Sequence, residues 1–363
     1  MPNTPQPTPH RTWSSVSAGG THTCALDASG RGYCWGDNAW RRLGISDSVN
    51  QRRPVAVETP QRFRALAAGS VETCALTAEG GTVCWGGDQP GAPPHTSFGA
   101  MHFRAMDLAT NGCGVTSDNV AWCWGVNGSG QLGSGRATPG RSTAPERVAG
   151  NLRWQSVATG PNYACGIATE GVAWCWGAPG TLGNRSTQPS NVPVRVSGSH
   201  AFVSLAAGAQ HVCGLTGTGS TWCWGRNTYG ALGNGQTQDS GEPVPVAGNQ
   251  TFKSLAAGYA FTCGLNNQGQ VYCWGWNQNG VLGIGTTRNA VIPTRVTAAE
   301  PFLTFTSVSA GAGHVCAIAT DGSMYCWGDN ADGALGIARS SSCHAGGATR
   351  QCALIPTRVQ DPL

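Results

Sequence analysis

Seven times along the chain, two cysteines stand ten residues apart and the second opens the tripeptide Cys-Trp-Gly. The pairs are Cys24 and Cys34, Cys74 and Cys84, Cys113 and Cys123, Cys165 and Cys175, Cys213 and Cys223, Cys263 and Cys273, and Cys316 and Cys326. Successive Cys-Trp-Gly motifs lie 50, 39, 52, 48, 50 and 53 residues apart. A period of that length marks an array of small supersecondary units and rules out a fold built around one aperiodic core.

Each unit reads as four short strands. An aromatic opens the first, as in Phe202-Val203-Ser204-Leu205, and Ala206-Ala207-Gly208 follows. A Cys strand comes next (His211-Val212-Cys213-Gly214-Leu215), then a polar turn and a Trp-rich strand (Thr221-Trp222-Cys223-Trp224-Gly225). A glycine loop ends in Leu232-Gly233, and a Pro-x-x-Val strand, Pro243 to Val246, closes the unit. Short runs between turn signals, with no helical period, predict a four-stranded antiparallel blade. Seven blades arranged radially predict an all-β, seven-bladed propeller over residues 11–363, behind a disordered Pro/Thr-rich tail at 1–10.

Composition agrees. Gly occurs 54 times in 363 residues and only 11% of residues are charged, which excludes coiled coils, helical bundles and charge-rich disorder. The glycines lack a three-residue period, so collagen is excluded too. No apolar run is long enough to span a bilayer. A net charge of +4, spread along the chain, gives no basis for nucleic-acid binding.

The cysteines constrain the environment. In a hairpin whose residue numbers sum to 58, Cys24 faces Cys34, Ala25 faces Tyr33 and Leu26 faces Gly32. Directly opposed residues lie about 4.5 to 5.5 Å apart at Cα, a separation that suits a disulfide. An eighth pair, Cys343 and Cys352, brackets an addition, Ser340 to Gln351, in the last unit. Sixteen cysteines in even, repeated pairs favour eight disulfides over reduced thiols, and over zinc, whose ligand pairs stand two to four residues apart. Disulfides imply an oxidising compartment: secreted, periplasmic or cell-surface. The opening Met1-Pro2-Asn3-Thr4-Pro5 has neither the charged start nor the apolar core of an export signal. The expectation is a mature segment whose signal was removed and to which Met1 was added.

The ends bear on closure. The chain enters at Trp13, already inside a unit, and leaves with Pro356-Thr357-Arg358-Val359, a closing strand with no unit after it. This predicts that the last strand completes the first blade and shuts the ring. Blades 2 and 3 are expected to be irregular. Pro90-Gly91-Ala92-Pro93-Pro94 replaces the Leu-Gly loop and closing strand of blade 2, and Ala109-Thr110-Asn111-Gly112 runs straight into Cys113.

The residues Gly311, His314, Ala317, Asp321-Gly322, Tyr325, Trp327-Gly328, Asn330, Gly333 and Leu335-Gly336 carry a pattern that resembles the regulator of chromosome condensation repeat. The cysteines point to a bacterial-type, secreted branch of that family. The resemblance covers residues 11 to 360 and implies the seven-bladed propeller. It implies less about function, since the family includes exchange factors, a plant ultraviolet-B photoreceptor and inhibitors of secreted bacterial enzymes. In the photoreceptor branch Trp follows the Gly of Gly-x-x-His; here those positions hold Gly20, Ser70, Pro161, Ala209, Tyr259 and Ala312. Exchange activity on a nuclear GTPase is disfavoured by the cysteines and by the lack of a wedge insertion.

No catalytic constellation, phosphate loop, cofactor motif or metal set emerges. There is no Gly-x-Ser-x-Gly elbow and no marked carboxylate pair, and the repeated His22, His211 and His314 read as structural strand-end hydrogen-bonders. The expectation is therefore a protein-binding scaffold. The candidate face is formed by loop positions between each Gly and the first Cys: Thr21, His22, Val71, Glu72, Asn162, Tyr163, Gln210, His211, Tyr259, Phe261 and His314. Tyr163, Tyr259 and Phe261 are its expected anchors. A carbohydrate-binding propeller is the alternative, with Trp40 and Trp276 as stacking residues because they lie outside the Cys-Trp-Gly core. An enzyme, with the loop around His344 and Arg350 as its first place to look, is a third reading.

Overall fold

Alternation of small, β-branched and aromatic residues between turn signals produces strands of four to seven residues nearly everywhere, as expected for a half-buried pleated surface. The computed structural model describes residues 11–87, 94–99, 101–136, 140–297, 300, 302–338, 340–345 and 348–362. The tail at 1–10 and most of the Pro90–Pro94 segment lie outside the described residues. Seven antiparallel sheets form, one per repeat. Blade 1 consists of Trp13–Ala18, His22–Asp27, Gly32–Gly36 and Gln51–Ala56, paired in chain order. The first strand of each blade touches the first strands of both neighbours all the way round, so first strands line the axis and closing strands form the rim.

This arrangement explains the burial. Second and third strands are covered on both sides by neighbouring blades, whereas a rim strand such as Ser190–Arg195 is only half covered. An aromatic on the first strand packs on the Trp of its own blade, as Phe63 does on Trp85 at 5.9 Å between ring centroids. Cys24 lies opposite Cys34, Ala25 opposite Tyr33 and Leu26 opposite Gly32, the register expected from the sequence.

The cysteines pair within blades. Cys24 bonds Cys34, Cys74 bonds Cys84, Cys113 bonds Cys123 and Cys165 bonds Cys175. Likewise Cys213 bonds Cys223, Cys263 bonds Cys273 and Cys316 bonds Cys326. The Cα atoms so bridged are 4.0 to 4.1 Å apart, slightly closer than expected for opposed residues. Each bridge closes a short loop, which in the chain-entropy view contributes at most about 3 kcal/mol. The eighth, between Cys343 and Cys352, clips the added segment. Asp27 caps its hairpin turn, its Oδ1 accepting from the Ser29 and Arg31 amides at 2.9 and 3.0 Å.

Closure differs from the expectation. The last strand, Ala348–Arg358, pairs with Met324–Asp329 of blade 7, placing Thr357 opposite Cys326. Blade 1 is completed by its own Gln51–Ala56. Every unit is therefore contiguous in sequence, because each Pro-x-x-Val strand folds back on the Trp strand that precedes it. The ring shuts by packing instead. Across the seam the Trp13 amide donates to the Gly322 carbonyl (2.8 Å) and the Ala312 amide to the Gly19 carbonyl (3.1 Å). The chain end still contributes, since Val359 shares one apolar cluster with Trp13, Tyr33 and Trp35.

The irregular blades lie where the sequence put them. The rim strand of blade 2 is only His95–Ser97. In blade 3 the turn between the first two strands loses a residue: the Ala109 amide bonds the Asn111 carbonyl, where elsewhere Gly19 bonds His22. Blade 7 gains a hairpin, Ser341–Ala345 with the start of Ala348–Arg358, as a fifth strand.

Candidate functional site

Two loops per blade build the face at which the innermost strands end. One follows the first strand, as Gly19-Gly20-Thr21 does. The other, which blade 2 lacks, runs from Trp-Gly to Leu-Gly and is held by an Asn in blades 1, 3, 5, 6 and 7. Asn277 Oδ1 accepts from the Leu282 amide (2.9 Å) and Asn330 Oδ1 from the Leu335 amide (3.1 Å). The closing Gly is required: at Gly336, with φ 65°, a Cβ would stand 2.8 Å from Trp35 Nε1 of the next blade.

The repeated histidines are spent inside this scaffold. His314 Nε2 lies 2.8 Å from Thr23 Oγ1 in the next blade, and His22–Thr73 and His211–Thr262 repeat the contact at the same distance. Each threonine hydroxyl donates onward to a carbonyl, Ala334, Arg42 or Ala231. Its single proton is thus used, so the imidazole must donate through Nε2. The same carbonyls accept the indole N–H of Trp35, Trp85 and Trp274 at 2.9 Å. Burial pushes His211 and His314 down to about 4 and His22 well below the ordinary value, so all three are neutral. Tyr163 replaces His in blade 4 and reaches the Gly208 and His211 carbonyls at 2.8 and 2.7 Å.

The candidate face therefore divides. His22, Tyr163, His211, Phe261 and His314 are buried between blades, with at most 1% of their surface exposed. The reason is geometric: the second strand is covered on both sides, so alternation gives it no outward face. Val71 and Glu72 are half-buried, and Thr21, Asn162, Gln210 and Tyr259 are exposed. Tyr259 is 59% exposed at the mouth of the axial channel, among Gly and Ala residues from the other blades. Trp40 is exposed on blade 1. His344 is outside the description of side chains, and Arg350 is exposed on the clipped hairpin. The donor group Glu72, Cys74 and Cys84 surrounds a disulfide, whose sulfurs are not thiolate ligands.

Around Tyr259 the face is concave. On one side a pocket of about 270 Å³ is walled by Tyr259 and Trp276 of blade 6 and by Asp329 and Asp332 of blade 7, with Thr21 and His314 also lining it. Asn279 Nδ2 donates to Asp329 Oδ2 (2.8 Å) and the Ala331 amide to Asp329 Oδ1 (2.9 Å), fixing that carboxylate. Burial, with Asp37 and Asp329 nearby, pushes the Asp332 carboxyl above its ordinary value. On the other side a hollow of about 110 Å³ holds Arg226, Gln210 and Tyr229. One aromatic ring thus divides an acidic depression from a basic one. The sequence reading found Tyr259 and Trp276 but missed the acids. Asp329 follows Trp327-Gly328 just as Trp276 follows Trp274-Gly275, so comparing that position between repeats would have paired them.

Comparison with known proteins matches this geometry. The regulator of chromosome condensation (RCC1) repeat matches residues 29–76, 170–215, 218–265 and 268–318, and a second form of that repeat matches 13–39, 202–231, 252–281 and 305–334. The mouse E3 ubiquitin-protein ligase HERC2 is 28% identical over 162 residues, covering 45% of this chain and 3% of that protein. The mitochondrial RCC1 domain-containing protein RUG3 of Arabidopsis thaliana is 26% identical over 176 residues, covering 48% and 32%. The chain thus spans only a minor part of either relative. Among solved structures, Prp20p of Saccharomyces cerevisiae has a TM-score of 0.78 at 21% identity, covering 96% of this chain and 88% of that one. Human WBSCR16 gives 0.76 at 21% identity, covering 85% and 88%. The structural likenesses carry the fold alone. With its repeat models matching more than half of its length and its seven blades in place, the chain belongs to the regulator of chromosome condensation repeat family.

Proposed function

We propose that this propeller is an extracytoplasmic protein-binding scaffold whose partner docks on the face that carries Tyr259 and Trp276. The observation that supports it most is Tyr259: a large, exposed aromatic between two depressions of opposite charge, on a face fixed by inter-blade hydrogen bonds. Rigid aromatic anchors of that kind dominate most interfaces. Yeast Prp20p has binding properties toward Gsp1p and histones, and it has been solved with Kap60 bound, so relatives of this fold serve as protein platforms. Binding rather than catalysis is favoured because the three buried histidines are neutral and committed to threonines. Among the described residues, no helix is long and apolar enough to cross a membrane.

The extracytoplasmic location rests on the eight disulfides, which persist in oxidising compartments. Thiol titration of the native chain after denaturation should find no free cysteine; several free thiols would return the protein to the cytoplasm. The docking face is tested by affinity capture from the host's extracytoplasmic fraction with the parent, Tyr259→Ala and Phe302→Ala. Phe302 is 92% exposed in the loop that enters blade 7, on the opposite face. A protein retained by the parent and Phe302→Ala, and lost with Tyr259→Ala, is the expected result. Retention by Tyr259→Ala with loss by Phe302→Ala would reverse the assignment of the face. A second reading, a glycan, draws on Trp276 standing beside two carboxylates, a stacking platform with hydrogen-bond acceptors.

A further inference from the structure

We propose that the pocket between Tyr259 and Trp276 receives an arginine side chain of the protein partner, its guanidinium stacked on the aromatic walls and bonded to Asp329 and Asp332. This rests on the docking face proposed above and names the chemistry that the face selects.

The argument is one of complementarity. The pocket combines two aromatic side chains with two carboxylates, and no lysine or arginine lines it. Aromatic faces attract cations through the ring quadrupole, most strongly with Trp. A planar guanidinium can stack and at the same time fork two hydrogen bonds onto carboxylate oxygens, which a lysine ammonium or a neutral sugar does less well. Two cations behind the wall, Arg42 and Arg52, act on Asp332 at longer range, and their hydrogen bonds go to other groups. Arg42 lies 3.3 Å from Asp37 and donates to Thr21 Oγ1 and the Ser70 carbonyl, and Arg52 donates to the Ala331 carbonyl.

Asp332 is left with a long contact, 3.4 Å, from Asn50 Nδ2. Burial, with Asp37 and Asp329 near it, holds its carboxyl above the ordinary value although Arg42 and Arg52 offset part of that, so an incoming cation is still favoured. His314, the nearest imidazole, is neutral and adds no opposing charge. The rim already carries one guanidinium. Arg350, on the disulfide-clipped hairpin of blade 7, holds Nη1 3.9 Å from Asp329, beyond hydrogen-bond reach, with its side chain more than half exposed. A partner's arginine would take the bonds that Arg350 does not make.

The test uses the full chain and two small probes: acetyl-arginine amide, and acetyl-citrulline amide, its neutral isostere. The indole N–H resonance of Trp276, assigned by loss in Trp276→Phe, is followed by NMR during titration. Arginine amide is expected to shift that resonance saturably and to bind about ten-fold or more tightly than citrulline amide, as for a charge-assisted, stacked contact. Asp332→Asn should abolish most of that preference, while Phe302→Ala should leave it intact. Equal response to the two probes, or an arginine preference undiminished by Asp332→Asn, overturns the proposal. So does a Trp276 shift produced by neutral methyl glycosides and not by arginine. If these fail while Tyr259→Ala still loses the captured protein, the docking face stands and the guanidinium assignment falls. If Asp332→Asn and Tyr259→Ala both retain every captured protein while arginine amide still binds, the pocket chemistry stands without the docking role.

Discussion

The seam between blades 7 and 1 and the seam between blades 2 and 3 should be equivalent in a repeat protein, yet they are held differently. At the first, His314 reaches Thr23, Thr23 reaches the Ala334 carbonyl, and the Trp35 indole meets that same carbonyl. At the second, Glu72 replaces His and Gly112 replaces Thr. Blade 2 also lacks the Leu-Gly loop whose carbonyl a tryptophan would meet, and Trp124 Nε1 has no hydrogen-bond partner among the described residues. The fold tolerates the unstapled seam because apolar contact persists there, with Leu76, Phe103 and Trp124 in one cluster. The His–Thr–carbonyl–Trp network can be removed from one joint of a closed ring when burial and the disulfides remain, together with the contact in which Arg64 Nη2 of blade 2 donates to the Phe103 carbonyl of blade 3 (2.7 Å). The pocket is walled by blades 6 and 7, whose joint carries Phe261 and Val315 in place of the staple, and it reaches Thr21 of blade 1 beside the stapled 7–1 seam.

Acid provides the largest expected break in this comparison. The folded-state values of His211 and His314 lie near 4, below the unfolded value of about 6.5, so the unfolded chain takes up protons first as pH falls. Stability that is complete above pH about 6.5 is therefore lost between there and 4, on the order of 3 kcal/mol for each fully buried imidazole. Denaturant unfolding at pH 7 and pH 4.5 should show a large loss that is reduced in His211→Gln. An unchanged loss in that variant would place the acid sensitivity elsewhere.

Next in size is side-chain deletion at equivalent positions. His314→Ala leaves the Thr23 oxygen without its donor and opens a cavity, costing about 2 to 4 kcal/mol. Asn111→Ala, at the same repeat position in blade 3, should cost about 1 kcal/mol or less, because both polar atoms of Asn111 already lack partners among the described residues. Equal losses in chemical denaturation would mean that the His–Thr contact contributes nothing. The smallest effect separates two tryptophans: Trp35→Phe should cost about 1 kcal/mol more than Trp124→Phe, since only Trp35 gives up a hydrogen bond.

Much of this was legible in the sequence. The Cys spacing fixed the hairpin register residue by residue, and Asp27 and Asp321 fell in the turns they cap. The staple was legible too: His22, His211 and His314 read as structural hydrogen-bonders, and only their threonine partners were not identified. The residue two before the first Cys in one blade and the residue one before it in the next are His22/Thr73, His211/Thr262 and His314/Thr23. Where His is absent, Thr is absent: Glu72/Gly112, Asn111/Ala164, Tyr163/Val212 and Phe261/Val315.

Three features are not visible within a single repeat, each for a physical reason. A repeated unit has no intrinsic starting phase, so the first and last strands alone could not tell a contiguous blade from one completed across the ends. Strand alternation marks an outward face only when one side meets solvent, and here both sides of the second strand are covered. That is why Tyr163 and Phe261 were expected at the surface and are found in the core. The pocket acids were missed because they are brought to Tyr259 by blade stacking, which no single repeat encodes.

The central claim is that the ring is held most tightly at the His–Thr seam between blades 7 and 1, which borders the docking face, and opens first at the seam between blades 2 and 3, where the staple, the Leu-Gly loop and the tryptophan hydrogen bond are all missing. Amide hydrogen exchange on the native chain at neutral pH tests it most directly. The account predicts slowest exchange for the second and third strands at the 7–1 seam, His22–Gly36 and His314–Asp329, and fastest exchange for the corresponding strands at the 2–3 seam, Glu72–Gly86 and Asn111–Val126. Faster opening at the 7–1 seam than at the 2–3 seam, or uniform exchange round the ring, would contradict it.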